Sequence, residues 1–526
     1  MKDFFDDCKY QTTALTPRLQ LKKDGPMWIW EPTPPEKQTW GWFNYVSYWV
    51  SDCFNINTWM IGGSFIEIGM SWWQALICVA IGYSVCAVIL VLNGFAGAKY
   101  HIGFPVQSRS SFGMYGSYIP IINRSLMACV WYGVQAWIGG QCVFQMLRAI
   151  APGIVNIPNQ LPANTGATSK DFIGFVVFWL VSLLFIYPPV EKIRHLFTLK
   201  CILLPIAGLA LFIWSIVDAH GMGPIISQPA TFTSTSQATW SMVLGITSSM
   251  GNMAALVVNT PDFTRYAKKP SDIVWSQLLT MPIGFLITSF MGIVVASGSK
   301  VIYGTVLWSP LDLLAQLDNR AAVFFIAFAF ALATLGTNLC ANSIPAGADL
   351  SALFPRFINI RRGGYICALI GLCICPWKLL ADAGGFLNFL SAYSVFLGPI
   401  AGIMVCDYLL IQKQHLVVAE LYKTQGLYTY SHGWNWRAYA AYIEGMIPNL
   451  PGFAGALGAS VPVGATRVYG FAWILGFLVA VAIHYGLSTI FPPSAATDRP
   501  GTETVDEIVY AEYKGDDLEH ASKSST

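Results

Sequence analysis

Charge is what this sequence has least of. Of 526 residues only 11% are Asp, Glu, Lys or Arg, while 55% are hydrophobic; a soluble domain carries about 25% charged side chains. So few charges cannot cover a water-facing surface, which excludes a soluble globular fold. The net charge of +2 supplies no basic field for nucleic acid. There is no HExxH, no GxSxG, no phosphate-binding loop and no pair of carboxylates within one apolar segment, so the usual machinery of a membrane enzyme is missing. The first forty residues are polar and Pro-rich, with Lys2, Lys9, Arg18, Lys22, Lys23 and Lys37 but no apolar stretch, so no cleavable leader is expected. Twelve cysteines are scattered, most of them within apolar runs. Cys373 and Cys375 are too close for a zinc-type pair and no His cluster accompanies them. They read as small core residues; no metal and no cofactor is expected.

Long apolar segments are abundant. A bilayer crossing needs about 20 mostly apolar residues, and such segments lie near 42–66, 72–97, 118–147, 171–188, 196–217, 239–260, 277–298, 321–346, 363–377, 384–411, 438–461 and 468–491. The fold class is therefore an all-α polytopic membrane protein of about twelve helices. The tails and even-numbered connections hold 23 Lys and Arg, the odd-numbered ones 6, with Arg124 left at a helix entrance. Basic residues gather on the cytoplasmic side, so both termini are expected there, in the plasma membrane. The sequon Asn123-Arg124-Ser125 then faces inward and is expected to stay unglycosylated. Residues 1–40 read as a cytoplasmic tail, 412–437 as a cytoplasmic loop, and 492–526 as a disordered tail. That last tail is either a plain solvated segment or a regulatory one, with Lys514 and Lys523 as ubiquitin acceptors for endocytosis.

The helices are unequal. The first carries Ser51-Asp52-Cys53-Phe54-Asn55-Ile56-Asn57-Thr58-Trp59, and the sixth Thr247-Ser248-Ser249-Met250-Gly251-Asn252. Polar groups at membrane depth are expensive and normally face a cavity. Two interruptions five helices apart point to an inverted repeat with broken helices meeting at the midplane, although Gly and Ser also serve plain helix packing. In the third span Trp131 and Gln135 share one helical face. The ring can stack on a flat ligand and the amide can both donate and accept, or the pair can serve packing alone. Asn338 and Asn342 share a face of the eighth span, as ligands or as interhelical glue.

In order along the chain, Phe104-Pro105-Val106-Gln107-Ser108-Arg109-Ser110-Ser111-Phe112-Gly113, Asn259-Thr260-Pro261-Asp262-Phe263-Thr264-Arg265-Tyr266 and Gly398-Pro399-Ile400-Ala401-Gly402 with Asp407-Tyr408 resemble motifs of the nucleobase-cation-symport-1 family. Pro32-Thr33-Pro34-Pro35-Glu36 before Thr39-Trp40 resembles its fungal Fur-type branch of uracil, allantoin and uric acid permeases. The resemblance covers nearly the whole chain. It implies a LeuT-like five-plus-five inverted repeat over residues 41–411, two added helices over 438–491, and alternating access. It implies substrate contacts at Trp131, Gln135 and Asn342, with Phe54, Asn252 and Met253 close by, and an outer gate at Phe386 and Leu390. Uracil-transporting relatives often carry Lys or an aromatic where this chain has Gly251-Asn252-Met253-Ala254, which leaves the ring specificity open.

Proton-coupled uptake of a nucleobase or related ureide is the function this implies. Sodium-coupled relatives place small hydroxyl residues on the eighth helix, where this chain has Ala333, Gly336 and Thr337; that favours protons. Proton coupling needs a titratable carboxylate at depth, and Asp52 and Asp349 qualify, with Lys200 pairing one of them. Asp262, Arg265 and Asp407 read as structural ion pairs, Glu444 as interfacial and Glu67 as solvated. The expected partners are a small nucleobase-like substrate, membrane lipids and, through the tails, the ubiquitination machinery. The alternatives are a symporter of uridine, thiamine, cytosine or purines, a channel, and a non-transporting nutrient receptor.

Overall fold

A computed structural model describes residues 32–497 except 189 and 424; Lys514 and Lys523 lie outside the described residues. Among the described residues the chain is helical, with twelve crossings. The crossings are α1a (Trp42–Cys53) with α1b (Ile56–Glu67), α2 (Trp72–Tyr100), α3 (Tyr118–Ile150), α4 (Ser169–Ile186), α5 (Val190–Asp218) and α6 (Thr235–Val258). They continue with α7 (Val274–Tyr303), α8a (Arg320–Thr337) with α8b (Ile344–Leu353), α9 (Ile360–Cys373), α10a (Ala383–Ala392) with α10b (Ser394–Cys406), α11 (Trp436–Met446) and α12 (Ala472–Ile490). Among the described residues, 8 helical stretches are long and apolar enough to cross a membrane unaided. The first, third, ninth and eleventh crossings fall outside that set. The first is split, the third carries Arg124 and Gln135, the ninth has 14 residues, and the eleventh is interrupted at Pro448 and Pro451.

The helix pairings show the repeat directly. α1b packs on α7 and α6 packs on α2, and these pairs exchange when helix 1 is matched to 6 and 2 to 7. The α3–α4 contact corresponds in the same way to α8b–α9, while the large α2–α7 and α3–α8a contacts map onto themselves. α10b packs on α12, and α11 completes that outer group. Close approach at α1b–α7 depends on Gly292: a Cβ there would lie 2.3 Å from the Trp59 carbonyl oxygen. The stretch between α10 and α11 folds back onto the end of the molecule where Lys99 and Arg265 lie. Its Leu416, Val418, Leu421 and Tyr428 are buried with Ala96, Ile102 and Val106.

The two interruptions expected from sequence behave differently. The first helix breaks at Phe54 and Asn55, where the chain leaves helical geometry. Asn55 starts the second half: its Oδ1 accepts from the Thr58 amide at 2.7 Å, and its Nδ2 donates to the Asp52 carbonyl at 2.6 Å. One side chain thus satisfies a free donor of the new helix and a free acceptor of the old one. The sixth helix, expected to break at residues 247–252, runs unbroken from Thr235 to Val258. Ser248 and Ser249 donate to the carbonyls of Leu244 and Gly245 at 2.8 and 3.0 Å, a back-bond that lets a hydroxyl sit inside a helix without opening it. Gly251 serves packing rather than flexibility: a Cβ there would meet the Leu390 carbonyl oxygen at 2.2 Å.

Candidate functional site

A cavity lies between α1, α3, α6 and α8. The α3 wall is a single stripe, Arg124, Ala128, Trp131 and Gln135, spaced at helical intervals of four, three and four. Opposite it stand Asn252, Met253, Leu256 and Asn259, with Asp52, Asn55 and Asn57 of α1 and Thr337, Ala341 and Asn342 of α8 completing the lining. Of the substrate residues expected from sequence, Trp131, Gln135, Asn252, Met253 and Asn342 come together here. Phe54 turns elsewhere, into a second, apolar cavity with Trp59, Leu204, Met291 and Phe330.

The wall groups are held in different ways. Trp131 packs beside Phe389 and Tyr393, with ring centroids 5.4 and 6.3 Å away, and the Tyr393 hydroxyl donates to the Gly251 carbonyl at 2.7 Å. Asn252 Nδ2 donates to the Tyr83 hydroxyl at 3.0 Å, and that ring is stacked on Phe285 at 4.3 Å. Gln135 is 4% exposed, and among the described residues its amide has no protein partner. A π-helical turn, Asn338–Ser343, joins α8a to α8b and carries Asn342. Such single π turns inside α-helices frequently occur at functional sites. Of the two residues expected at the gate, Phe386 is stacked on Trp308 at 5.7 Å. Leu390 is buried against α6 at Gly251.

The ionisable groups form two sets rather than one. Lys200, 2% exposed, donates from Nζ to Thr337 Oγ1 at 2.7 Å. It faces the Asp52 charge at longer range than a contact pair. Asp349 is bound not to Lys200 but to Arg124, whose Nε lies 2.6 Å and Nη2 2.5 Å from Asp349 Oδ2. Both side chains are buried. Arg124 also donates to the Pro345 carbonyl at 2.8 Å and, with the Asn259 amide oxygen turned toward it, to Asn259 at 2.8 Å. It therefore joins α3 and α8b to the residue that ends α6. Asp262 accepts from the Phe104 amide at 2.8 Å. Asp407 accepts from Ser110 and Ser111 at 2.9 and 3.3 Å and lies 4.0 Å from His484. Arg124 was missed as a lining residue; its place on the Trp131–Gln135 stripe was the available signal.

Comparisons with known proteins agree with this architecture. Residues 32–476 match the model of a family described as permeases for cytosine/purines, uracil, thiamine and allantoin. The chain is 42% identical to the allantoin permease of Saccharomyces cerevisiae, over 88% of this chain and 75% of that protein. It is 43% identical to the uridine permease of the same yeast, over 88% of this chain and 74% of that protein. It is 40% identical to that yeast's uracil permease, over 88% and 75%. Among solved structures it shares the fold of Mhp1, a nucleobase-cation-symport-1 transporter. In its closed conformation with bromovinylhydantoin bound, the TM-score is 0.69 at 23% identity, over 88% of this chain and 96% of Mhp1. In the inward-facing conformation it is 0.70 at 22% identity, over 92% and 99%. With its polar-lined core cavity and its repeat, this multi-pass membrane chain is a transporter rather than an enzyme, and it belongs to the nucleobase-cation-symport-1 family of permeases.

Proposed function

We propose that the protein is a proton-coupled symporter that takes up a nucleobase or related ureide, such as uracil, allantoin or uric acid, across the plasma membrane by alternating access. The observation that carries this is the grouping of a ring with two amides from two helices: Trp131 and Gln135 of α3 stand with Asn342 of α8 around one cavity. A flat neutral ring rich in alternating N–H and C=O groups would stack on the indole and pair its edge with the amides. A buried amide left unpaired by a wrong ligand costs about 1–3 kcal/mol, enough for selection. The yeast relatives named for allantoin, uridine and uracil support the same class.

Protons are favoured over sodium by the surroundings of Thr337. Its hydroxyl, the candidate ion ligand on α8, is engaged by the Lys200 ammonium at 2.7 Å. A fixed cation there opposes a second one. Asp52, on the cavity wall beside the helix break, is the carboxylate proposed to carry the proton. The basic end of the bundle is taken as cytoplasmic, with both termini there and Lys514 and Lys523 as ubiquitin acceptors.

The test is uptake of radiolabelled uracil in a permease-deficient yeast, with unlabelled allantoin, uric acid, uridine, cytosine and thiamine as competitors. Uptake should collapse with a protonophore and survive replacement of sodium. No competition by uracil, allantoin or uric acid would overturn the substrate class. Trp131→Ala and Gln135→Ala should each abolish uptake while the protein still reaches the cell surface; retained affinity in both would return these residues to a packing role. Full concentrative uptake with an unchanged pH profile in Asp52→Asn would remove Asp52 from the coupling path.

A further inference from the structure

We propose that Asn338, set one helical turn behind the cavity, is a positioning residue that fixes which way the Asn342 amide faces and so selects ligands carrying an imide N–H beside a carbonyl. The inference rests on the function proposed above and narrows its substrate class.

The orientation of both amides is set by an atom that can only accept. The Tyr132 carbonyl oxygen of α3 takes a hydrogen bond from Asn338 Nδ2 at 3.2 Å. A carbonyl cannot donate, so the nitrogen end of the Asn338 amide is committed to α3. Its oxygen end is thereby committed too, and it accepts from Asn342 Nδ2 at 3.0 Å. The second amide inherits the orientation of the first. Asn338 is fully buried and Asn342 is 5% exposed, so reversing either amide would set two acceptors or two donors face to face without water to relieve them. Among the described residues Asn342 Oδ1 has no protein partner. The asparagine that lines the cavity thus keeps its carbonyl oxygen and one remaining N–H for a ligand, in an order it cannot reverse.

A bidentate edge of fixed order is a filter. Uracil, the hydantoin ring of allantoin, uric acid and the base of uridine all present an imide, an N–H flanked by carbonyls, whose N–H and C=O match the amide's C=O and N–H. Cytosine in the same placement presents a bare ring nitrogen to the Asn342 oxygen and an amino group to its N–H. It would need the amide reversed or its ring displaced from Trp131 and Gln135. The aminopyrimidine of thiamine and the adenine ring offer no imide either. The π turn makes the relay possible, because it places Asn338 against α3 and Asn342 at the cavity within one continuous helix.

The experiment uses the full-length chain with a fluorescent tag in the permease-deficient yeast, measuring inhibition of labelled uracil uptake by unlabelled uracil and cytosine. In Asn338→Ala the Asn342 amide is free to turn, and the ratio of cytosine to uracil inhibition constants should fall about tenfold or more. Asn338→Asp keeps an acceptor for Asn342 Nδ2 and should hold that ratio near the parent value. A merely structural Asn338 would lower uptake with the ratio unchanged in both variants, and that result overturns the proposal. Should Asn338→Ala fail to reach the surface, the parent protein still decides. 3-Methyluracil, which lacks the imide N–H, should compete about tenfold or more weakly than uracil, and equal competition overturns the inference. Failure of the parent chain to take up uracil, allantoin or uric acid at all would instead count against the proposed function, and is seen before any variant is made.

Discussion

The first and sixth helices occupy equivalent places in the inverted repeat, line the same cavity, and carry polar runs that look alike in sequence; one is broken and the other is not. The difference lies in what each polar side chain can do for the backbone. Asn55 has a donor and an acceptor, reaches both sides of the break, and caps the new helix as it releases the old one. Ser248 and Ser249 have only hydroxyls, which bond back one turn and leave the ladder closed. At the ends of the cavity wall the contrast continues. The residue terminating α6, Asn259, is held by Arg124 and through it by the buried Asp349. Among the described residues Asp52 of α1 lies in no contact ion pair. A split helix with a carboxylate in no such pair and an unsplit helix anchored by a charge network suit different parts in the transport cycle proposed above: the first would tilt and change its proton, and the second would provide a fixed wall.

The anchor gives the largest expected effect. Arg124→Leu leaves the Asp349 carboxylate buried and uncompensated, a loss of about 3–5 kcal/mol. Thermal unfolding of the detergent-purified fusion should show the loss, and Arg124→Leu with Asp349→Asn should recover part of it. An Arg124→Leu protein as stable as the parent would mean that the pair does not anchor α6. Next comes Gly251→Ala, whose sign separates two roles. A glycine that loosens a helix would yield stability when replaced by alanine, by about 1 kcal/mol. One that admits a neighbouring backbone should lose about 1–3 kcal/mol instead, since the new Cβ would sit 2.2 Å from the Leu390 oxygen. A gain in melting temperature would restore the sixth helix as a flexible element.

What was legible in the sequence follows the same division between local and distant causes. Hydrophobic length reported the crossings because it is a property of each segment alone. The pair Trp131–Gln135 was legible because two residues four apart on a helix share a face wherever that helix goes. The partner of Asp349 was not, since Arg124 is 225 residues away in the chain; the sequence left open which of Asp52 and Asp349 Lys200 faces, and only the packed helices set it toward Asp52. The intact sixth helix was hidden for another reason. Serine and glycine permit both a break and a tight crossing, and only the backbone of α10 on the far side of Gly251 decides between them. The Asn338 relay needed both at once: spacing put the two asparagines on one face, but the Tyr132 carbonyl that orients them comes from another helix.

The smallest expected effects bear most directly on the contrast between the two helices. Asn55→Ala removes the cap at the break and should lower stability by about 1 kcal/mol, within the range of about 0.5–2 for lost caps. Asn55→Asp keeps the acceptor for the Thr58 amide but loses the donor to the Asp52 carbonyl, and should sit between the two. Ser248→Ala removes the back-bond to Leu244 together with the weaker contacts to Leu387 and Ser391 at 3.2 and 3.1 Å. Alanine is the better helix former, and that gain offsets part of what the back-bond and the contacts across to α10a held, so the net loss should stay below about 1 kcal/mol. Transport should divide the two positions even more sharply than stability. If α1 moves as proposed, losing the Asn55 cap alters where its second half begins, directly beside Asp52 on the cavity wall, so uptake should fall well beyond the stability loss, whereas Ser248→Ala should carry substrate at close to the parent rate. Equal transport defects at the two positions, measured at matched surface expression, would mean that the break in α1 is no more mobile than the unbroken wall across from it.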